Sequence, residues 1–158
     1  MIFVALGTQK QQFTRLLKIL ENSKELEGEE IIVQAGHTKY TSEILDIKTF
    51  LSFNEIEKYI KQAEFVITHG GVGSIIDALN LNKKVIAVPR LMKYVEHVDN
   101  HQLEICEKLA NEEYIECLFE EENIDDKIKN IRRKEYKKYK SNSDYLEKLD
   151  NVIKEFVK

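Results

Sequence analysis

Cysteine and proline are scarce in this sequence, long apolar runs are absent, and neither sign of charge dominates; each shortage closes off a class of protein. The two cysteines, Cys106 and Cys117, show neither a CxxC spacing nor the density of a disulfide scaffold, so they read as reduced, partly buried thiols. Nothing approaches the roughly 18 to 20 uninterrupted apolar residues that span a bilayer. The opening MIFVALGTQ carries no basic leader and no small-residue cleavage site, and the expectation is a cytoplasmic protein. With 24 basic and 28 acidic residues the formal charge is -4, which supplies no global argument for a nucleic-acid partner. At 158 residues and 42% hydrophobic content the chain can bury one core but is short for two.

What is present is an alternation of short apolar strands with amphipathic helices. IFVAL up to Gly7 reads as a buried strand. QQFTRLLKILENS places Phe13, Leu16, Leu17 and Leu20 on one helical stripe. Further strands are expected over Glu30–Ala35, KTFLSF (48–53) and EFVIT (64–68), with a helix NEIEKYIKQA capped by Asn54 and a box partner at Glu57. VGSIIDALNLN reads as a helix and KKVIAVP as a strand stopped by Pro89, the only proline. A helix from about Asp99 to Ala110 and a sixth strand at Tyr114–Leu118 follow. Strands too apolar for a wet face, alternating with helices, predict a doubly wound α/β fold on a parallel, Rossmann-like sheet.

The organisation expected is a ligand-binding α/β domain over residues 1–120 and a charged helical extension over 121–158. An acidic block (112–126) is followed at once by a basic one (127–140), which fits either a solvated face with intrahelical pairs or a surface for an anionic membrane or acidic partner. DYLEKLDNVIKEFVK places Tyr145, Leu149, Val152 or Ile153, and Phe156 on one face of a terminal helix that needs a surface to cover it.

In an open parallel sheet ligands sit outside the carboxyl ends of the strands. The loops falling there are Gly7-Thr8-Gln9, Gln34-Ala35-Gly36, Phe53-Asn54, His69 to Ser74, and Arg90 to Gln102. His69-Gly70-Gly71-Val72-Gly73-Ser74 joins a strand directly to a helix, so backbone N–H groups and the positive end of the helix dipole face one place, suited to a phosphate, with the Ser74 hydroxyl as a further donor. The P-loop lysine and the third glycine of a dinucleotide fingerprint are missing. A tight structural turn is the plainer alternative. Asp77, on the same helix, suits the two hydroxyls of a ribose or merely complements the helix dipole. Lys93, Glu96, His97, Asp99, Asn100, His101 and Gln102 supply donors and acceptors that suit a sugar. His97 and His101 share a helical spacing for metal, but a third ligand is not evident, so no metal site is expected. His69 reads as a phosphate donor or a structural histidine; beside a diphosphate it would favour the imidazolium form, which makes it a weak candidate for a catalytic base.

The set FVALGTQ, VQAG, ITHGGVGSIIDAL, VIAVPRL and EHVDNHQ, in order over about residues 1–118, resembles the glycosyltransferase family 28 C-terminal domain. More narrowly it is similar to bacterial capsule and exopolysaccharide subunits of the EpsF and PssE kind, and to the catalytic subunit of the eukaryotic dolichol-linked N-acetylglucosaminyltransferase. The resemblance implies the C-terminal half of a GT-B enzyme that works without metal or other cofactor, inverting the anomeric carbon as an acceptor hydroxyl displaces UDP from a UDP-sugar. It places the diphosphate on Gly7, Thr8, His69, Gly70, Gly71, Gly73 and Ser74. The ribose and uracil would lie at Asp77, Phe53, Gln34 and Gly36, and the donor sugar at His97, Asp99, Asn100 and Gln102. Relatives often carry Glu where this chain has Asp77, so the reach to the ribose is one methylene shorter. A GT-B enzyme also needs an acceptor half; in two-subunit relatives a membrane-anchored partner brings the polyprenyl-linked saccharide, which implies recruitment to the inner face of the cytoplasmic membrane. Two functions follow from this: a catalytic donor subunit, or a UDP-sugar-binding or stimulatory subunit whose partner catalyses.

Overall fold

The structure, a computed structural model, describes residues 1–139. Its central strand β1 (Ile2–Ala5) pairs in parallel with β2 (Ile31–Gln34) on one side and β4 (Val66–His69) on the other. Beyond them lie β3 (Leu45–Lys48), β5 (Val85–Val88) and the two-residue β6 (Glu116–Cys117), giving the order β3-β2-β1-β4-β5-β6. Because side chains of a strand alternate between faces, each inner strand serves two cores. Ile2, Val4, Val33, Ile67 and Ile86 meet α1 (Thr14–Glu21) and α5 (Ile124–Arg133). Phe3, Ile32, Val66, Val85 and Ala87 meet α2 (Phe53–Gln62), α3 (Val72–Asn80) and α4 (His101–Asn111). Burying each of the Val, Ile and Phe side chains contributes about 1.5–3 kcal/mol, so a strand apolar on both faces is stable only between two helical layers.

The strand order reverses at β1 and β4. The connection leaving β1 goes one way and that leaving β4 the other, and a crevice opens between their carboxyl ends. The register pairs Ala5 with Thr68, so Gly7 and the turn after His69 emerge side by side.

The third strand is not at 48–53 but at Leu45–Lys48. LDIK alternates buried and open positions, as an edge strand with one wet face must, and the 48–53 stretch supplies instead the loop and the entry to α2. Asn54 does not cap α2. Ser52 Oγ accepts from the Glu55 N–H, and the Ser52 N–H donates to Glu55 Oε2 at 2.8 Å, so the capping box sits two residues earlier than expected. Helix α4 starts at His101 because Asp99 Oδ1 accepts the His101 N–H at 3.0 Å and turns the chain first. The strand expected at Tyr114–Leu118 is confined to Glu116–Cys117.

The charged segment after residue 120 contributes α5, whose Ile124, Ile128 and Ile131 are buried in the same core as α1. Its opposite face is solvated, but the pairs there are tertiary rather than intrahelical: Arg132 donates to Glu64 Oε1 at 2.8 Å and Glu29 Oε1 at 3.2 Å. The expected terminal stripe of Tyr145, Leu149, Val152, Ile153 and Phe156 lies outside the described residues.

Candidate functional site

The cleft at the reversal point has a volume of about 310 Å³ and brings together Gly7, Thr8, Gln34, His69, Gly71, Gly73, Ser74 and Asp77. Each of these was expected at the site; Gly70, expected with them, does not line the cleft. A larger open groove of about 1170 Å³ lies between α1, the 94–96 segment and the start of α5. It touches none of the glycine turn, and the smaller cleft is the one where unpaired polar groups converge. Gln34 Oε1, buried on β2, has no hydrogen-bond partner, and neither does the buried Oε1 of Gln9, which also lines the cleft. A buried amide oxygen left unpaired costs roughly 1–3 kcal/mol, a cost that a ligand donor removes.

The turn after β4 ends at Gly71, which stands at the N-cap of α3 with no side-chain bond and no acid in the first turn. The leading N–H groups of α3 therefore lack intrahelical partners and face the cleft with the positive end of the dipole. A Cβ on Gly71 would collide with the His69 ring, whereas one on Gly73 would meet nothing within 4 Å. Gly7 has φ +80°, and a Cβ there would come 2.5 Å from His69 Nε2. Asp77 lies one turn beyond Ser74, with its carboxyl held above the usual carboxylate range by partial burial.

His69 is buried and its hydrogen bonds decide its tautomer. Nδ1 accepts from the Gly71 N–H at 3.2 Å and from Gln102 Nε2 at 3.2 Å, which leaves the proton on Nε2, 3.3 Å from Ser74 Oγ. Burial, and next the Arg90 guanidinium, push its pKa down to about 4. In the free protein the ring is thus a neutral donor toward the turn; the imidazolium was expected only beside a bound diphosphate. Its one lone pair is already occupied by two N–H groups, so it is not placed as a base.

The residues expected to hold a donor sugar are not gathered in the cleft. Gln102 is buried beneath the turn; its Oε1 accepts from the Gly70 and Arg90 N–H groups, each at 3.1 Å. Asn100 Oδ1 accepts from the Met92 N–H at 3.0 Å. Asp99 lies between His97 Nδ1 at 3.0 Å and His101 Nδ1 at 3.3 Å, and its carboxyl is held low first by the His101 N–H and then by the two imidazoles. His97 reaches the cleft only through Gln9, Nε2 to Nε2 at 2.9 Å. The loop has spent its polar groups on its own shape, which a count of side chains in the sequence does not foresee. Among the described residues no three ligating side chains cluster for a metal. Phe53, expected near the base, is the first residue of α2, 90% exposed and outside the cleft lining; Gly36 packs against the Gly7 carbonyl oxygen rather than opening on the cleft.

Two residues in or behind the cleft, Gln9 and Arg90, were not among the expected site residues. Gln9 lies in the expected loop but carried no signal of its own. Arg90 is fully buried, and Glu96, expected among the sugar-facing groups of its loop, is instead buried and bound by Arg15 through two bonds of 2.9 Å.

The glycosyltransferase family 28 C-terminal domain matches residues 1–156, and the chain belongs to that family. It is 39% identical over 77 residues to the UDP-N-acetylglucosamine transferase subunit ALG13 of Candida albicans, covering 48% of this chain and 24% of that protein. The chain therefore spans about a quarter of that relative's length. Its fold is similar to that of ALG13 in solution, with TM-score 0.63 and 22% identity over 94% of this chain and 93% of that one. It also resembles part of the glycotransferase of kitacinnamycin, with TM-score 0.61 and 14% identity over 99% of this chain and 39% of that one. The doubly wound sheet is that of the C-terminal half of a GT-B glycosyltransferase.

Proposed function

We propose that this chain is the donor-binding, catalytic subunit of a two-component inverting glycosyltransferase, moving a hexose or related sugar from a UDP-sugar to a polyprenyl-diphosphate-linked saccharide in capsule or exopolysaccharide biosynthesis. The observation that carries the reading is one cleft in which the uncapped start of α3, the Ser74 hydroxyl and the Nε2–H of His69 face the same space, with the Gln34 carbonyl unpaired beside them. Three kinds of donor converging without a carboxylate among them suit a diphosphate, and Asp77 one turn away suits the ribose hydroxyls. Family membership supports the glycosyl-transfer chemistry, and the likeness to a protein named as a UDP-N-acetylglucosamine transferase subunit supports the uracil nucleotide and the need for a partner.

In the reaction the acceptor hydroxyl attacks the anomeric carbon as the bond to the β-phosphate oxygen breaks. The α3 amides and Ser74 take up the charge that develops on the departing UDP, and no metal is required. The acceptor's proton goes to a base outside this domain, since the His69 lone pair faces Gly71 and Gln102. A membrane-anchored partner docking over the carboxyl edge supplies that base and the lipid-linked acceptor, which places the chain at the inner face of the cytoplasmic membrane.

The test is calorimetric titration of the purified chain with UDP. The parent binds, and Gly73→Val, whose side chain enters open cleft space rather than the core, keeps its cooperative melt and loses binding. A variant that bound UDP like the parent would remove the diphosphate assignment.

A further inference from the structure

The fully buried Arg90 lies two residues beyond β5 and touches none of the cleft surface, yet its bonds reach three segments of backbone around the cleft. Nη2 donates to the Leu6 carbonyl at 2.6 Å, where the chain leaves β1. Nη1 donates to the carbonyls of Gln11 at 2.8 Å and Glu96 at 3.1 Å, on the two loops that flank α1 and α4. The guanidinium also lies over the Phe13 ring, 4.8 Å from its centre. Its own backbone N–H shares the Gln102 Oε1 acceptor with Gly70, so the same residue is tied to the glycine turn.

Two consequences follow for an anion in the cleft. A trans peptide directs its C=O and N–H to opposite sides, so the bond to the Leu6 oxygen leaves the Gly7 N–H directed away from Arg90, and polarises that peptide to make the N–H a stronger donor. A cation enclosed behind the turn is screened little by solvent and, with the nearby buried Glu96 carboxylate already paired to Arg15, adds to the field of the α3 N-terminus. Lysine offers a point charge and cannot span three carbonyls with one planar fork, so arginine is specifically suited.

We propose that Arg90 is the positioning residue of the diphosphate site, its buried fork holding the Leu6–Gly7 peptide, the loop before α1 and the loop before α4 in the arrangement an anion needs. The inference rests on the nucleotide-sugar reading above, and its test separates the two. UDP is titrated into the parent, Arg90→Lys and Arg90→Met, while side-chain ¹⁵N spectra follow the His69 imidazole against pH.

Arg90→Met is expected to lose UDP affinity by roughly tenfold or more. Its His69 should titrate at higher pH than in the parent, because a cation has left its side. Arg90→Lys restores the His69 titration but not the affinity, a split that general loosening of the fold would not produce. If the Met variant does not fold, the Lys variant decides by itself: parental affinity there overturns the proposal, because a bare charge would suffice. Parental affinity and His69 behaviour in a folded Met variant overturn it equally. If the parent ignores UDP, the nucleotide reading falls, and inorganic pyrophosphate followed on the Gly70, Gly71 and Gly73 amides tests Arg90 alone. A parent that ignores both probes overturns both.

Discussion

Val95 stands in the left-handed region at φ +57° while 77% exposed, a conformation that a β-branched side chain adopts only under constraint. The constraint is visible on both sides. The Val95 N–H donates to the Met92 carbonyl at 2.9 Å, and the next residue, Glu96, is anchored by Arg15 and by the Leu91 N–H. Val95→Gly removes the strain and almost no packing, so it should raise stability by about 1 kcal/mol, measured as a shift of the urea midpoint at unchanged slope. His69 produces the opposite kind of signature. Its native pKa of about 4 lies below the ordinary 6.5, so the unfolded chain binds a proton that the native ring refuses. The associated stability is complete above about pH 6.5 and is lost as pH falls toward 4, on the order of 2 kcal/mol between pH 7 and 5. Urea unfolding of the parent and of His69→Gln across that range should differ by this slope; parallel curves would mean that the ring is charged in the native state.

At the scale of elements, helix α5 is the informative case. Its sequence looks like a charged extension, since only Ile124, Ile128 and Ile131 interrupt the polar residues, but these three fall on one stripe and pack against the sheet beside α1. Ile128→Ala should therefore lower the unfolding free energy by about 2–4 kcal/mol and do so in a single cooperative transition. A second, earlier transition by circular dichroism would show α5 to be a separate unit. Asn123 caps this helix by accepting the Asp125 N–H at 2.9 Å, and Asp125 in turn accepts from Ser23 and from the Lys24 N–H, so the start of α5 is bolted to the end of α1.

For the molecule as a whole, the strand order and the uncapped start of α3 set the chemistry that the cleft can perform. Under the proposed function, backbone amides, a hydroxyl and a helix dipole would compensate a leaving diphosphate with fixed partial charges, and the sequence around the turn carries no DxD-type pair of carboxylates to hold a cation there. Sugar transfer by the chain with the proposed acceptor-bearing partner should accordingly be unchanged in EDTA. Loss of activity restored by Mn²⁺ or Mg²⁺ would replace this account with a metal-assisted one. The described residues contain no helix long and apolar enough to cross a membrane.

Periodicity in the sequence was enough to determine the parallel sheet and its two helical layers, because strands apolar on both faces have only one stable environment. The glycine turn was legible too, since a strand leading straight into a helix through HGGVGS sets the free N–H groups of the helix start at one place, although the structure engages the Gly70 and Gly71 N–H groups internally. Short edge elements were less legible: β3 was sought at 48–53 when Leu45–Lys48 carries it, because an alternating tetrapeptide is weak against a longer apolar run. The roles of the 90–102 loop were decided only in three dimensions. Whether Asp99, Asn100 and Gln102 face a ligand or their own backbone depends on partners such as Met92, Gly70 and His69, some of them more than thirty residues away along the chain. A buried cation such as Arg90 is invisible for the same reason: its partners are carbonyl oxygens, which every residue has, and only the fold selects which ones it meets.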